Sequence, residues 1–163
     1  GFHLGFNLNK EGESVYLFDT AARGNALLDS VTFGLQLTDL SIGRLADGAW
    51  GLTRPTFGAV NEPVATGQSR LLKINEWLAA SAAGQSDFIE LFNPGPRPVA
   101  LGGLYLTDNA MGWPNRHPIA ALSYIPASGL VVFQADGDSA AGPASGRGDS
   151  GLRTLLVKQG LLP

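Results

Sequence analysis

Short runs in which apolar and polar side chains alternate recur along this chain, and each is stopped by glycine, proline, asparagine or aspartate. A period of two is the signature of a strand with one covered face. After the turn Lys10-Glu11-Gly12-Glu13, the run Ser14–Asp19 puts Val15 and Leu17 on one face and Tyr16 and Phe18 on the other. Leu27–Phe33 is a second run, closed by Gly34, and Ser41–Leu45 leads into the turn Ala46-Asp47-Gly48-Ala49. Asp-Gly suits a tight turn because glycine accepts positive φ. Leu71–Leu78 fits a helix by periodicity, but a small polar loop and the run Asp87–Asn93 follow it, which favours a strand. In that next run Phe88, Glu90 and Phe92 alternate with Ile89 and Leu91 until Asn93-Pro94-Gly95-Pro96 ends it, since proline has no N–H for a ladder. Strands are also expected at Gly103–Thr107, Gly129–Ala135 and Leu152–Val157, with a solvated loop over Asp136–Gly151. Turns every 8–12 residues point to an all-β sandwich or barrel. Its predicted core is Val15, Leu17, Val31, Ile74, Ile89, Leu91, Leu104, Leu106 and Val131.

Composition narrows the function classes. At 163 residues and 44% hydrophobic content the chain suits one domain or two very small ones, and Gly 22 with Pro 10 supplies many turns. The formal charge is only -3 and no basic block exists, so the footprint of a nucleic-acid partner is missing. Cysteine is absent, which removes disulfides and thiolate metal sites. Apolar stretches are broken within about ten residues, so membrane insertion is not expected. The chain starts at Gly1 without an initiator Met and is expected to be a segment of a longer protein.

The motifs resemble the lamin tail domain, an immunoglobulin-like β-sandwich found in nuclear lamins and in many bacterial secreted proteins. The family's opening Ile-Asn-Glu strand is similar to Ile74-Asn75-Glu76-Trp77, and its aromatic-Ile-Glu-Leu-aromatic-Asn strand to Phe88-Ile89-Glu90-Leu91-Phe92-Asn93. Leu-x-Gly-x-x-Leu-Ser/Thr-Asp resembles Leu101–Asp108, and Gly-Glu-x-Val-x-Leu resembles Gly12–Leu17. Asp29-Ser30-Val31, Ser41-Ile42-Gly43-Arg44 and Pro55–Asn61 look like the family's later motifs, with Phe57 where proline is usual. The order departs from the family. Residues 1–61 look like the C-terminal half and residues 69–163 like the N-terminal half, joined by a linker at 62–68. The resemblance implies one immunoglobulin-like sandwich in permuted strand order, from tandem domains cut mid-way or from circular permutation. The halves then close within one chain or swap between chains in a domain-swapped dimer.

Each candidate site residue also has a plain structural role open to it. Glu76, Glu90 and Asp108 suggest an acid–base pair, but they sit inside fold-defining motifs, and a half-buried carboxylate needs a partner. Arg44 is expected to pair with Glu76 or Glu90 as a structural ion pair. Asp136, Asp138 and Asp149 offer oxygens to Ca²⁺, but EF-hand spacing is absent and a solvated loop with no metal is the better reading. Arg147-Gly148-Asp149 is an Arg-Gly-Asp tripeptide of the kind integrins recognise. His3 and His117 lack a triad frame. Trp77 is expected in the core. Trp113, in a loop with Arg116, is the best exposed recognition residue.

These readings add up to a non-catalytic binding or spacer module with no cofactor, in a larger secreted or cell-surface bacterial protein. The role and the extracellular location are what the resemblance implies. Its partners are then other domains of the parent protein and a protein or glycan ligand. The alternatives are an accessory substrate-binding domain of an extracellular hydrolase or nuclease, and an adhesion module acting through Arg147 and Asp149.

Overall fold

A computed structural model describes residues 2–137. Among them the chain is nearly all β, with only two short 3-10 turns, at Ala21–Arg23 and Ser69–Leu71. The expected loop from Asp138 on, with Arg147 and Asp149, and the expected strand Leu152–Val157 lie outside the described residues.

Two hairpins organise the first sixty residues. β1 (Glu13–Phe18) pairs antiparallel with β2 (Leu27–Phe33), and β3 (Ser41–Arg44) pairs with β4 (Trp50–Arg54). The β3–β4 turn is the one its sequence demands: Gly48 adopts φ 83 and the Asp47 carboxylate accepts the Ala49 N–H at 3.0 Å. Gly43 and Gly51 face each other across this hairpin. A Cβ on Gly43 would fall 2.8 Å from the Asn61 side chain and 2.9 Å from Thr53 Oγ1, so only glycine fits there.

The joint 62–68 is no free linker. β5 (Glu62–Pro63) extends the β3–β4 sheet, Val64 N–H donates to Leu52 O at 2.8 Å, and Gly67 N–H donates to Pro98 O at 2.7 Å. Proline is tolerated because β5 is an edge strand.

The second stretch centres on a three-stranded sheet, with β7 (Phe88–Phe92) between β6 (Lys73–Leu78) and β12 (Leu130–Gln134). Two-residue ladders flank it: β8 (Val99–Ala100) with β11 (Tyr124–Ile125), and β9 (Tyr105–Leu106) with β10 (His117–Pro118). The core gathers Leu91, Val99, Leu101, Ile119, Ile125, Val131 and Phe133 from this stretch, and Leu35 from the first.

Leu35 marks where the two stretches meet. Gly34 N–H donates to Ala121 O at 2.9 Å, Tyr124 N–H to Leu35 O at 3.0 Å, and the Gln36 amide to Leu122 O at 2.9 Å. Residues 34–36 thus lie alongside residues 121–124 of the same chain.

The predicted core is only partly covered. Leu91 and Val131 are buried, and Ile89, Leu104 and Leu106 pack against the core. Val15 and Val31 are half-buried, whereas Leu17 is exposed. Ile74 and Trp77 depart most from expectation, at 64% and 69% exposure. The register shows why. Ile74, Leu91 and Val131 face one another across the sheet, as do Trp77, Ile89 and Phe133. Residues opposite in a ladder share a face. Ile74 and Trp77 therefore point to the core side, but β6 is the sheet edge and nothing among the described residues covers it there. A break in register between Ile74 and Glu76 leaves Asn75 as a bulge in this edge strand.

Candidate functional site

The loop between β9 and β10 carries Trp113 and Arg116, the residues expected to serve recognition. It is built by its own polar side chains. Thr107 Oγ1 donates to Trp113 O at 2.8 Å and accepts the Asn109 N–H at 3.0 Å. The Asn109 side-chain oxygen accepts the Gly112 N–H at 2.8 Å, and its backbone carbonyl accepts the Trp113 N–H at 2.9 Å. A Cβ at Gly112 would lie 2.8 Å from Asn109 Nδ2, so glycine lets the loop close on Asn109. The result is a fixed loop rather than a floppy one, and it displays Trp113 at 55% exposure and Met111 at 97%.

Arg116 completes the surface. Its guanidinium sits 5.7 Å from the Trp113 ring centre and pairs with Asp108, holding that carboxyl below the usual carboxylate range. The expectation for Trp113 and Arg116 therefore falls on one surface, and Asp108 joins it as the partner of Arg116 rather than as an acid–base group beside Glu76 or Glu90. Tyr105, half exposed on β9 opposite Pro118, lies on the same hairpin.

The predicted ion pair is made with a different acid. Arg44 donates to both carboxylate oxygens of Asp29, at 2.8 and 2.9 Å, and to Gly48 O at 3.1 Å. Its guanidinium also lies 4.4 Å from the ring centre of Trp50, its cross-strand neighbour. Hydrogen bonding from Arg44 is the main cause holding the Asp29 carboxyl low, helped by the Ser30 N–H. Glu76 and Glu90 lie in a different sheet: they oppose each other across β6 and β7, and Glu90 accepts from the Asn75 amide at 2.7 Å. Glu76 is exposed, and half-buried Glu90 has its partner in the Asn75 amide rather than in a cation.

Several polar residues that matter were not singled out from sequence. Asn93 is fully buried, with its amide donating to Arg97 O and Pro126 O at 2.8 Å each and its oxygen accepting the Gly95 N–H at 3.0 Å. Ser123 and Thr53 are also buried, and Thr53 Oγ1 lies 2.9 Å from Ser41 Oγ. Asn61 ties the end of the first stretch back to β3 by donating to Arg44 O at 2.9 Å. Their signal was position: Asn93 ends the β7 motif, Ser41 opens the Ser-x-Gly-Arg motif, and Asn61 closes the Pro-Thr-Phe-Gly motif.

Asp136 is exposed and takes part in an interaction, while Asp138 lies outside the described residues. Among the described residues no group of three His, Cys, Asp or Glu side chains is placed to hold a metal, and no helix is long and apolar enough to cross a membrane. Compared with models of protein families, with curated proteins and with solved structures, the chain matches none.

Proposed function

We propose that this chain is a non-catalytic binding module, or a spacer carrying a binding loop, in a larger secreted or cell-surface bacterial protein. Loop 107–116 is its contact surface. The single observation that carries this reading is the fixed presentation of Trp113 beside the Arg116–Asp108 pair. Trp and Arg on a rigid support are the residues that concentrate binding energy at interfaces. The extracellular bacterial setting rests on the resemblance of the motifs to the lamin tail domain.

The same resemblance supports an immunoglobulin-like sandwich in permuted order, and the seating of residues 34–36 against 121–124 favours closure within one chain. A domain-swapped dimer is the competing arrangement, and light scattering at rising concentration separates the two.

The functional test is an array of extracellular proteins and glycans probed with the chain. Capture that Trp113→Ala abolishes and Trp77→Ala leaves intact supports the reading, because both tryptophans are exposed but only one lies on the loop. Capture by neither variant's parent, or turnover of ester, glycoside or phosphate substrates that one carboxylate substitution abolishes, sinks it. The role of accessory domain to a hydrolase or nuclease uses the same loop, and the parent's other domains decide it. Adhesion through Arg147 and Asp149 is tested by Asp149→Glu in a cell-attachment assay.

A further inference from the structure

We infer that the ligand of loop 107–116 is a neutral polysaccharide, one pyranose ring of which stacks on Trp113 while its hydroxyls bond to Arg116 and Asp108. This rests on the reading of the loop as a binding surface.

Three observations select that chemistry. Trp113 is 55% exposed with Arg116 beside its ring, and a pyranose presents a face of C–H groups that packs on such a ring. Trp113 has no ring contact with another aromatic among the described residues, so it is a single flat platform rather than the paired-ring slot that grips proline-rich peptides. Beside it, Arg116 and Asp108 cancel in charge yet supply guanidinium donors and carboxylate acceptors at one place. A sugar hydroxyl both donates and accepts, so adjacent hydroxyls match this pair. A phosphate or an acidic peptide finds Arg116 already neutralised, and a basic peptide finds Asp108 already occupied. The loop is held by its own hydrogen bonds before any ligand arrives, so little ordering is needed on binding.

The test is electrophoresis of the whole chain through native gels cast with hydroxyethyl cellulose, laminarin, galactomannan or, as charged controls, polygalacturonate and heparin. The expected result is retardation by at least one neutral polymer. Trp113→Ala should weaken it tenfold or more, Trp113→Phe should keep part of it, and Trp77→Ala should leave it unchanged. Arg116→Gln should also weaken it, with the circular dichroism spectrum and melting temperature of each variant confirming an intact fold. Migration unaffected by every neutral polymer overturns the inference, as does retardation that survives Trp113→Ala, or retardation by charged polymers alone. A proline-rich peptide that quenches Trp113 fluorescence, in a Trp50→Phe, Trp77→Phe background that no neutral polymer retards, overturns it in favour of a peptide ligand. Array capture that depends on Trp113 without any polysaccharide retardation leaves the binding reading standing and removes only the sugar.

Discussion

The backbone N–H of Leu35 donates to the hydroxyl of Ser123 at 3.1 Å, across 88 residues of chain, and both residues are buried. Gly34 makes this approach feasible, since a Cβ there would fall 2.0 Å from Ser123 Oγ and 2.9 Å from Ala120 Cβ. Gly34→Ala should destabilise the fold by about 1–3 kcal/mol through overpacking. Ser123→Ala should cost a similar amount, about 1–3 kcal/mol, by leaving the Leu35 N–H without its acceptor. The double variant should cost less than the sum, because removing the hydroxyl opens room for the new methyl. Urea unfolding of all four proteins measures the coupling, and strict additivity would show that residues 34 and 123 do not touch.

Asn93 is satisfied on three sides by backbone groups of its own turn and of the segment before β12. Asn93→Ala should cost about 3 kcal/mol, the scale of stranding buried polar groups. Asn93→Asp is nearly the same shape but turns an oxygen toward the carbonyls of Arg97 and Pro126. Its loss should match or exceed that of alanine near neutral pH, and should shrink when the carboxyl is protonated in acid. Denaturant midpoints for both variants at neutral and acid pH decide this. An Asp variant as stable as wild type would contradict the amide orientation.

Asp29 and Asp108 each have a carboxyl held low, chiefly by hydrogen bonds from Arg44 and Arg116. The folded values lie below the unfolded value of 3.8, so both pairs favour the folded state above about pH 4 and lose that contribution as pH falls through the folded values. Asp29→Asn should therefore flatten part of the acid limb of the stability profile while changing little in its shape above neutrality. The pairs are solvent-exposed, so salt should mute the difference. An acid limb identical in wild type and Asp29→Asn at low salt would rule out the Arg44 pairing.

Tyr124 is buried, and that burial is the main cause raising its phenol above 10.0, against an opposing backbone hydrogen bond at Leu52. A raised folded value means the neutral phenol favours the fold, and this contribution is lost as pH climbs through the alkaline range. The absorbance difference at the phenolate band between wild type and Tyr124→Phe should show Tyr124 ionising later than a free tyrosine, together with loss of folded signal. Ionisation at the ordinary value would mean the side chain is reached by water.

Strand positions were readable wherever alternation ran for four or more residues between clear stops: β1, β2, β3, β6, β7 and β12 fall where the pattern puts them. β9 lies inside the expected run Gly103–Thr107, whereas β8, β10 and β11 were too short to show a period, and β4 was hidden by Gly51 interrupting its alternation. β5 was concealed by Pro63, read as a break although an edge accepts it. Covering was harder to read than facing. Alternation alone would put Ile74 and Trp77 on opposite faces of β6; the bulge at Asn75 brings both to the core side, and only the tertiary arrangement tells that the sheet ends there. Likewise the charge on Arg44 demanded a partner, but its neighbour in space is set by how β2 and β3 come together, which no local motif encodes. For the loop, Trp113 and Arg116 were legible as an exposed aromatic and a cation. The hydrogen bonds through Thr107 and Asn109 that fix them were not.

The bulge at Asn75 bears on how the protein behaves in crowded solution. A sheet edge lined by Ile74, Trp77 and Leu78 is a template on which further chains can stack into aggregates, since its free amides and carbonyls invite another strand. An extra residue in the middle of the strand spoils the regular spacing that such stacking needs, and Lys73 and Glu76 on either side place charge within it. The irregularity thus acts as a gatekeeper: deleting Asn75 would straighten the edge and favour stacking into fibres.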